Sequence, residues 1–368
     1  MRPPELHFVV PGPLDQLTGG YVYDANLVAG LKALGWHVRV HNLVGRFPDA
    51  DALAREALGS ALASLPDGAR VVIDGLAMGG LPDVVEAHAG RLRIVSLVHH
   101  PLAEETGLAP ADAERFRALE RRALAPCAGV VVSSAFTARG LETYGVPTER
   151  VRVVVPGTEP ARPAVGPGPG EPPCLLCVAS VTPRKGHDVL VAALAQVRDL
   201  DWTCVLAGSL ERDPRHAQYV CDRIAAAGLA ERVELVGERH GEQLEALYHR
   251  ATAFVLASHY EGYGMVLADA LAHGLPVVST TGGAIPFTVP ADTGILVPPG
   301  DDAAFADALR ALLDPTSARW TGAAGQASGE SQPTREELAR AARRHAAQLP
   351  RWKDAAEAFA TAVTELTR

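Results

Sequence analysis

Short apolar runs recur along the whole chain, separated by polar segments that contain Gly, Pro and Asp. The runs are rich in Val, Ile and Leu at successive positions, which is typical of strands in a parallel sheet that is covered on both faces. The first series of predicted strands is LHFVV (6–10), HVRVH (37–41), RVVID (70–74), RIVSLV (93–98), GVVVSS (129–134) and RVRVVV (150–155). The second series is CLLCVA (174–179), TCVLAG (203–208), RVELVG (232–237), AFVLAS (253–258), PVVST (276–280) and GILVP (294–298).

Segments with helical spacing lie between most of these strands, as in YVYDANLVAGLKALG, which Gly35 ends. The alternation predicts an α/β protein with two doubly wound, Rossmann-like domains and a ligand cleft at the carboxyl ends of their strands. Residues 159–173 are dense in Pro and Gly and are predicted to form a linker. The first domain is then 1–158 and the second 174–350. TGAAGQASGESQPT (321–334) is predicted to be a surface loop.

Composition and charge narrow the class of protein. Of the 368 residues, 48% are hydrophobic and 21% are charged, so large cores can form and whole-chain disorder is excluded. The formal net charge is −9, so no overall field attracts nucleic acid, and an anionic substrate needs local cations. There is no apolar run of transmembrane length and no typical secretion signal, which favours a soluble, cytoplasmic protein.

Five cysteines suit a reducing compartment, and Cys174 and Cys177 have the spacing of a metal or redox pair. We interpret them as reduced core residues instead, because they lie on one predicted buried strand, where residues three apart face opposite sides.

Two loops between a strand and a helix could hold an anion. Gly19 and Gly20 are predicted to lie in the loop after the first strand, where glycines let backbone amides approach a phosphate. A tight turn without a ligand is the alternative. In VTPRKGHDVL, Arg184 and Lys185 precede a helix predicted to start near Gly186 to Asp188. Cations are unfavourable at a helix start unless an anion such as a diphosphate lies beside them. A solvated basic turn is the alternative there.

The segment SHYEGYGMVLADALAHGLPVVSTTGG (258–283) contains more candidate site residues than any other segment. Glu261 follows a predicted buried strand, Gly262 and Gly264 open a helix, and Asp269 lies within that helix. This segment resembles the signature of retaining nucleotide-sugar glycosyltransferases of family 4, which have the GT-B fold. VTPRKGHDVL is similar to the diphosphate-binding turn of that family, and the Gly19-Gly20 loop is similar to its first glycine loop. The resemblance therefore covers nearly the whole chain.

The resemblance implies a role for each matching position. Glu261 would face the donor sugar, and the backbone around Gly262, Tyr263, Gly264 and Met265 would hold the diphosphate. Arg184 and Lys185 would lie on the other side of the diphosphate, and Gly19 and Gly20 would approach it from the first domain. His99 matches the histidine at the reacting centre. The GT-B fold also implies that the C-terminal helices cross back, so that 351–368 packs on the first domain.

Two positions depart from the family pattern. The second acid of the usual E-x7-E spacing, which accepts hydrogen bonds from the ribose, is Asp269 here. Aspartate is shorter by one methylene, about 1.5 Å, so the helix must approach more closely or a water must bridge. Phe287 stands where the family often has the Glu of GAIPE, which leaves one donor contact without its carboxylate.

No metal is expected. Two D-x-D pairs, Asp49/Asp51 and Asp199/Asp201, have the spelling of metal sites, but the first pair begins a predicted helix and the second lies in a turn. The cations at 184 and 185 can neutralise a leaving diphosphate instead. On the acceptor side, polar residues at strand ends of the first domain are candidates: Asp74, His100, Glu104 and Glu105.

The sequence thus predicts a hexosyltransferase that moves a sugar from a nucleoside diphosphate sugar to a hydroxyl acceptor with retention and without metal or other cofactor. The alternatives are a nucleotide-sugar epimerase of the same fold and a catalytically silent nucleotide-sugar-binding protein. Nucleic acid is not an expected partner. A peripheral membrane contact through the Arg-rich helix 111–126 is not favoured, because that helix also carries acids and few large apolar groups.

Overall fold

The computed structural model describes residues 3–314 and 333–368. The chain divides into two units, Met1–Gly157 with Pro350–Arg368, and Thr158–Leu349. The loop predicted at 321–334 lies, up to residue 332, outside the described residues. No helix within the described ranges is long and apolar enough to cross a bilayer.

Strands and helices alternate from one end of the chain to the other. The first unit contains β1 (Glu5–Pro11), α1 (Gly19–Ala33), β2 (His37–Leu43), α2 (Ala52–Ala63), β3 (Arg70–Asp74), α3 (Gly75–Met78), α4 (Pro82–Ala89), β4 (Arg93–Val98), α5 (Pro110–Leu124), β5 (Gly129–Val132), α6 (Ala135–Gly140) and β6 (Val151–Val153). The second contains β7 (Cys174–Val178), α7 (His187–Gln196), β8 (Thr203–Ala207), α8 (Pro214–Ala226), β9 (Val233–Gly237), α9 (Glu242–Arg250), β10 (Ala253–Leu256), α10 (Met265–Ala272), β11 (Val277–Thr280), α11 (Ile285–Thr288), β12 (Gly294–Val297), α12 (Asp302–Leu313) and α13 (Arg335–Ala346). The last helix, α14 (Trp352–Leu366), belongs to the first unit.

All twelve predicted strands are confirmed, and they form two six-stranded parallel sheets. The first sheet has the order β2-β1-β3-β4-β5-β6, and the second has the order β12-β11-β10-β7-β8-β9. Both are doubly wound, because the strand order reverses direction inside each sheet. The α/β class and the two Rossmann-like sheets expected from the sequence are therefore confirmed.

The reversal of strand order fixes where loops can form a ligand site. In the second sheet the reversal falls between β7 and β10, which pair with each other. The chain continues from β7 to β8 on one side of this pair and from β10 to β11 on the other. In the first sheet it falls between β1 and β3. Ligands of such sheets bind beyond the carboxyl ends of the strands at these points.

Each unit has its own apolar core. In the second unit, Phe254 and Leu256 of β10 are fully buried together with Leu267 and Leu271 of α10. This packing fixes α10 against the sheet and so fixes the loop between β10 and α10.

Helix α14 packs on α1 and on the first sheet. Gly30 of α1 lies so close to Ala356 that a side chain at position 30 would clash with it. The rings of Phe359 and Phe8 of β1 are 6.3 Å apart, and Arg70 donates a hydrogen bond of 3.0 Å to Thr367. The C-terminal helix thus completes the core of the first unit.

The Pro- and Gly-rich segment 159–173 is hydrogen-bonded to the second unit. The amide of Ala164 donates to the carbonyl of His273 at 2.8 Å, and the amide of Val165 donates to that of His249 at 2.9 Å. Glu171 forms an ion pair of 2.9 Å with Arg250.

Candidate active site

The loop after β7 places two cations at the switch point of the second sheet. Pro183–Lys185 form one turn of 3-10 helix, and Gly186 then takes a left-handed conformation (φ +63°) before α7 begins at His187. Any side chain at Gly186 would clash with the carbonyl oxygen of Ala257, so this turn requires glycine. The helix start predicted near Gly186 to Asp188 is confirmed, since α7 begins at His187.

The loop after β10 holds Glu261 in a fixed position. Its backbone forms an isolated parallel bridge with Gly283, and its carbonyl oxygen accepts a hydrogen bond of 2.8 Å from the amide of Ala284. Gly264 is left-handed (φ +86°) and precedes the first residue of α10. The backbone of Glu261 is therefore held by Gly283 and Ala284, and α10 begins four residues after it.

Arg184 and Lys185, both partly exposed, form an ion cluster with the buried Glu261. Lys185 Nζ lies 2.6 Å from Glu261 Oε1, and Arg184 Nη1 lies 3.5 Å from Glu261 Oε2. Ser258, which begins the S-x-x-E motif, donates a hydrogen bond of 2.7 Å to Glu261 Oε1. The sequence motif contains Ser258, but its role as the partner of Glu261 was not predicted.

The electrostatics of this cluster favour an anionic ligand. Burial would raise the pKa of Glu261, but the charges of Lys185 and Arg184 and the two hydrogen bonds outweigh it and lower that pKa to about 2. Burial lowers the pKa of Lys185, and the Glu261 carboxylate opposes that effect. These three side chains carry two positive charges and one negative charge.

The start of α10 adds backbone donors beside the cluster. The helix begins at Met265, directly after Gly262, Tyr263 and Gly264, and among the described residues no side chain caps it. The first amides of a helix have no partner inside the helix and present partial positive charge. Helix α10 is eight residues long, and its start lies four residues after Glu261.

Asp269 lies one turn into α10 and is partly exposed. Its carboxyl group has no hydrogen-bond partner in the described part of the chain, so a ligand hydroxyl can reach it. Burial, with the charges of Glu245 and Glu159, raises the pKa of Asp269 to about 7. On the neighbouring short helix α11, Phe287 is 53% exposed where the family pattern has a carboxylate.

The first unit brings His99 together with two carboxyl groups. His99 Nε2 lies 3.1 Å from Asp24 Oδ1 and 3.9 Å from Asp74 Oδ2. Asp74 ends β3, His99 follows β4, and Asp24 is on α1. Asp24 was not predicted. The available signal was a charged residue on the apolar face of α1 that also carries Leu27 and Leu31.

The two glycines of the first unit lie in α1, and the prediction of a loop at this point is wrong. Helix α1 begins at Gly19, so Gly19 and Gly20 form its first turn. A Cβ at Gly20 would lie 3.1 Å from the His99 ring, whereas a Cβ at Gly19 would meet no atom within 4 Å. Gly20 therefore lets the helix approach His99.

The other acceptor-side candidates form ion pairs. His100 pairs with Glu105 at 3.4 Å, and Glu104 faces Arg117 of α5 at 3.6 Å. The structure thus brings Asp74 and His99 together and places His100, Glu104 and Glu105 in separate pairs.

Most of the D-x-D carboxylates have other partners. Asp51 caps α2, as predicted, by accepting a hydrogen bond from the amide of Ala54. Asp49 pairs with Arg115 at 3.2 Å, and Asp199 pairs with Arg310 at 2.7 Å. The Cys174–Cys177 pair consists of free, buried thiols on β7, as the core interpretation predicted.

Only one group of His, Cys, Asp and Glu among the described residues has donor atoms close enough to share a metal ion. In Asp24, Asp74 and His99 these atoms lie within 4.8 Å of one another. The contact of 3.1 Å between His99 and Asp24 is also the length of an ordinary hydrogen bond, so a proton is sufficient to explain it.

Comparison with known families identifies both units. Residues 18–162 match the model described as Glycosyltransferase Family 4, and residues 172–315 match the model described as Glycosyl transferases group 1. The chain belongs to the GT-B glycosyltransferases of the family 4 type.

Individual proteins agree with this assignment. D-inositol 3-phosphate glycosyltransferase of Nocardia farcinica is 32% identical over 243 residues, 60% of this chain and 54% of that protein. The chain spans about half the length of the curated relatives it matches first. Sucrose-phosphate synthase from Thermosynechococcus elongatus has the same fold, with a TM-score of 0.79, 22% identity and 99% of both chains covered. Anabaena HepE in complex with UDP-glucose gives 0.72 at 17% identity, covering 98% of this chain and 99% of that one.

Proposed function

We propose that this protein transfers a sugar from a nucleoside diphosphate sugar to a hydroxyl acceptor, with retention of configuration and without a metal. The observation that carries the proposal is the cluster of two cations, Arg184 and Lys185, around the buried Glu261 at the switch point of the second sheet, beside the start of α10.

The cluster suits the leaving group of such a reaction. When the sugar–phosphate bond breaks, negative charge develops on the leaving diphosphate. Fixed cations and helix amides that face this charge stabilise the transition state, and this is usually the largest catalytic effect. Arg184 offers a planar fork of donors and Lys185 a point charge, and the first amides of α10 add neutral donors.

The two carboxylates near the start of α10 serve different parts of the donor. Glu261, ionised and held beside the cations, would accept hydrogen bonds from sugar hydroxyls. Asp269, further along α10, would accept hydrogen bonds from the ribose. Retention rests on the resemblance to the family, and no nucleophile is assigned.

The names of similar proteins suggest the first ligands to test. HepE is described in complex with UDP-glucose, so a uridine nucleotide is the first donor probe. The relative from Nocardia farcinica is named for D-inositol 3-phosphate, which is the first acceptor probe. His99 of the first unit, with Asp74 beside it, would contact the reacting sugar or the acceptor.

A panel of nucleoside diphosphates tests the donor site. A ligand at 100 times its dissociation constant adds about 2.7 kcal/mol to stability, so the preferred base raises the melting temperature clearly. Lys185→Ala and Arg184→Ala should each abolish most of this shift. Arg223→Ala is the matched control, because it removes a cation from the exposed face of α8 in the same unit.

The reaction is tested by nucleotide release from the donor sugar. Transfer requires an acceptor, whereas an epimerase changes the sugar without releasing nucleotide, and a silent binding protein does neither. Lys185→Ala and Arg184→Ala should lower turnover by about 10²-fold or more. A melting temperature that no nucleotide changes, or full turnover in both variants, would refute the proposal.

A further inference from the structure

The charge balance around His99 points to a role that the proposed function leaves open. Asp24 is fully buried, the side chain of Asp74 is 5% exposed, and that of His99 is 20% exposed. Two ionised carboxylates beside a neutral imidazole would put two negative charges into this buried site, which is costly. An imidazolium compensates one of them. A proton between the two carboxyl groups compensates the other.

The hydrogen bonds agree with this arrangement. His99 Nε2 is the atom that lies 3.1 Å from Asp24, and its carboxylate can only accept, so Nε2 carries a proton. If both carboxyl groups are ionised, Asp24 Oδ2 is buried and accepts no hydrogen bond from the described residues. A proton on Asp74 supplies that donor. Asp74 also accepts a hydrogen bond of 2.7 Å from the amide of Leu76, which fixes its position.

We propose that Asp24, together with Asp74, holds His99 as an imidazolium whose Nδ1–H is directed to a ligand oxygen. His99 Nδ1 has no hydrogen-bond partner in the described part of the chain, and its ring is reached by solvent. Resting on the proposed function, this makes His99 a cationic donor to the substrate and excludes it as a general base near neutral pH. Asp24 acts through His99 and is a positioning residue.

The surrounding groups support the charged form. Burial alone would lower the pKa of His99, but the Asp24 charge, its hydrogen bond and the Asp74 charge raise it to about 9. Burial, and then the Asp24 charge, raise the pKa of Asp74 to about 7. The remaining titratable neighbour in ring contact is Tyr23, whose ring meets that of His99 edge-on at 5.4 Å. Burial keeps Tyr23 neutral by raising its pKa.

The proposal is tested by ¹⁵N NMR of the full chain labelled in histidine. The chain has 13 histidines, and His99→Gln assigns the signal of interest by its loss. In the ligand-free protein at pH 7.5, both ring nitrogens of His99 should carry a proton, and the titration midpoint should lie near 9. Asp24→Asn should lower the midpoint by about one unit or more. Asp112→Asn, an exposed change on α5, should not move it.

Three results would overturn the proposal. One is a neutral His99 tautomer at pH 7.5 in the unmodified protein, which decides the matter even if Asp24→Asn fails to fold. Another is an unchanged midpoint in a folded Asp24→Asn variant. The third is selective broadening of the His99 signal by one equivalent of Mn²⁺, which would show that a metal replaces the proton. All three need no substrate, so they are independent of the donor and acceptor tests.

Discussion

Glu261 stays charged in a buried place because each of its oxygens lies near a different cation. Lys185 is 2.6 Å from one oxygen and Arg184 is 3.5 Å from the other. Removing one member of an ion cluster changes the balance of charge around the others. The loss of Glu261 removes the carboxylate of the cluster, whereas the loss of Lys185 removes one of its two cations. These two changes should have opposite effects on the affinity for an anionic ligand.

Glu261→Gln and Asp269→Asn should consequently fail in different ways. Glu261→Gln keeps the shape and increases the positive charge, so affinity for UDP should not fall, while turnover drops. Asp269→Asn removes a hydrogen bond to a charged group, which contributes about 1.5–3 kcal/mol, so affinity should fall roughly ten- to a hundredfold at pH 8. Calorimetric titration of both variants measures this difference.

The pKa of Asp269 adds a second criterion to the same titration. Because it is raised to about 7, Asp269 is ionised at pH 8 and protonated at pH 6. The loss of affinity in Asp269→Asn should thus be smaller at pH 6, and comparison at each pH cancels the ionisation of UDP itself. Equal weakening by Glu261→Gln and Asp269→Asn would contradict the assignment of sugar and ribose contacts.

Glu120 on α5 should make the protein less stable as the pH rises. It is 1% exposed, and its Oε2 accepts a hydrogen bond of 3.0 Å from the amide of Leu102. Burial raises the pKa of Glu120 to about 8. Between pH 4.5 and 8 the folded state holds a proton that the unfolded state has lost, so stability falls over this range, by at most about 1.4 kcal/mol per pH unit.

Glu120→Gln, which is neutral and similar in shape, should flatten this slope. Chemical unfolding at several pH values between 5 and 8 measures it. Glu114→Gln, on the exposed side of the same helix, is the control and should keep the original slope. The same slope in Glu120→Gln and the unmodified protein would show that this carboxyl group is not the cause.

At the scale of elements, the strands could be predicted because a strand that is buried on both faces needs apolar residues at successive positions. Every strand of the two sheets corresponds to a short apolar run. The prediction of β5 and β6 extended too far, to 134 and 155, whereas they end at Val132 and Val153. Their apolar runs continue past the last residue that pairs with the neighbouring strand, so hydrophobicity alone does not show where a strand ends.

The site could be predicted only where its parts are close in sequence. Gly186 and Gly264 mark the loops that carry Lys185 and Glu261, and both glycines need left-handed backbone. Asp24 meets His99 at a sequence separation of 75 residues, through the packing of α1 on the sheet. No local pattern encodes that contact. The start of α1 was misplaced for a related reason, because glycine is compatible with both a loop and the first turn of a helix.

The first turn of α1 provides a matched pair of glycine substitutions. Gly19→Ala adds a methyl group in open space, so it should leave the His99 signal unchanged and stabilise the helix by about 0.5–1 kcal/mol. Gly20→Ala places a methyl group 3.1 Å from the His99 ring, which must then move by a few tenths of an ångström. The His99 signal should shift, and turnover should fall.

Thermal unfolding and the His99 NMR signal compare the two variants directly. Both glycines have ordinary helical backbone, so the difference between the variants reports the contact with His99 and not a change in backbone preference. If Gly20→Ala behaves like Gly19→Ala in both measurements, the close approach of α1 does not position His99.

At the scale of the whole molecule, both units follow one plan. Each has a doubly wound sheet. Each also has one group of charged side chains beside the switch point of that sheet, near the carboxyl ends of the strands. The groups differ in composition. The second unit presents two cations beside one carboxylate, which suits a diphosphate, whereas the first presents an imidazolium beside two carboxyl groups that share one proton. This division agrees with donor binding by the second unit and with chemistry at the sugar by residues of the first.

Turnover should therefore persist in excess EDTA. A divalent metal in sugar transfer neutralises the leaving diphosphate, and here Lys185, Arg184 and the start of α10 supply that charge. Asp49 and Asp199 are paired with arginines, and Asp51 caps a helix, so these D-x-D carboxylates already have partners. The measurement is the initial rate of nucleotide release, with acceptor present, before and after dialysis against chelator. Loss of activity that Mn²⁺ or Mg²⁺ restores would contradict the assignment. Asp24→Asn would then locate the metal: if it weakens the response to Mn²⁺, the ion binds beside His99, where a proton is assigned here.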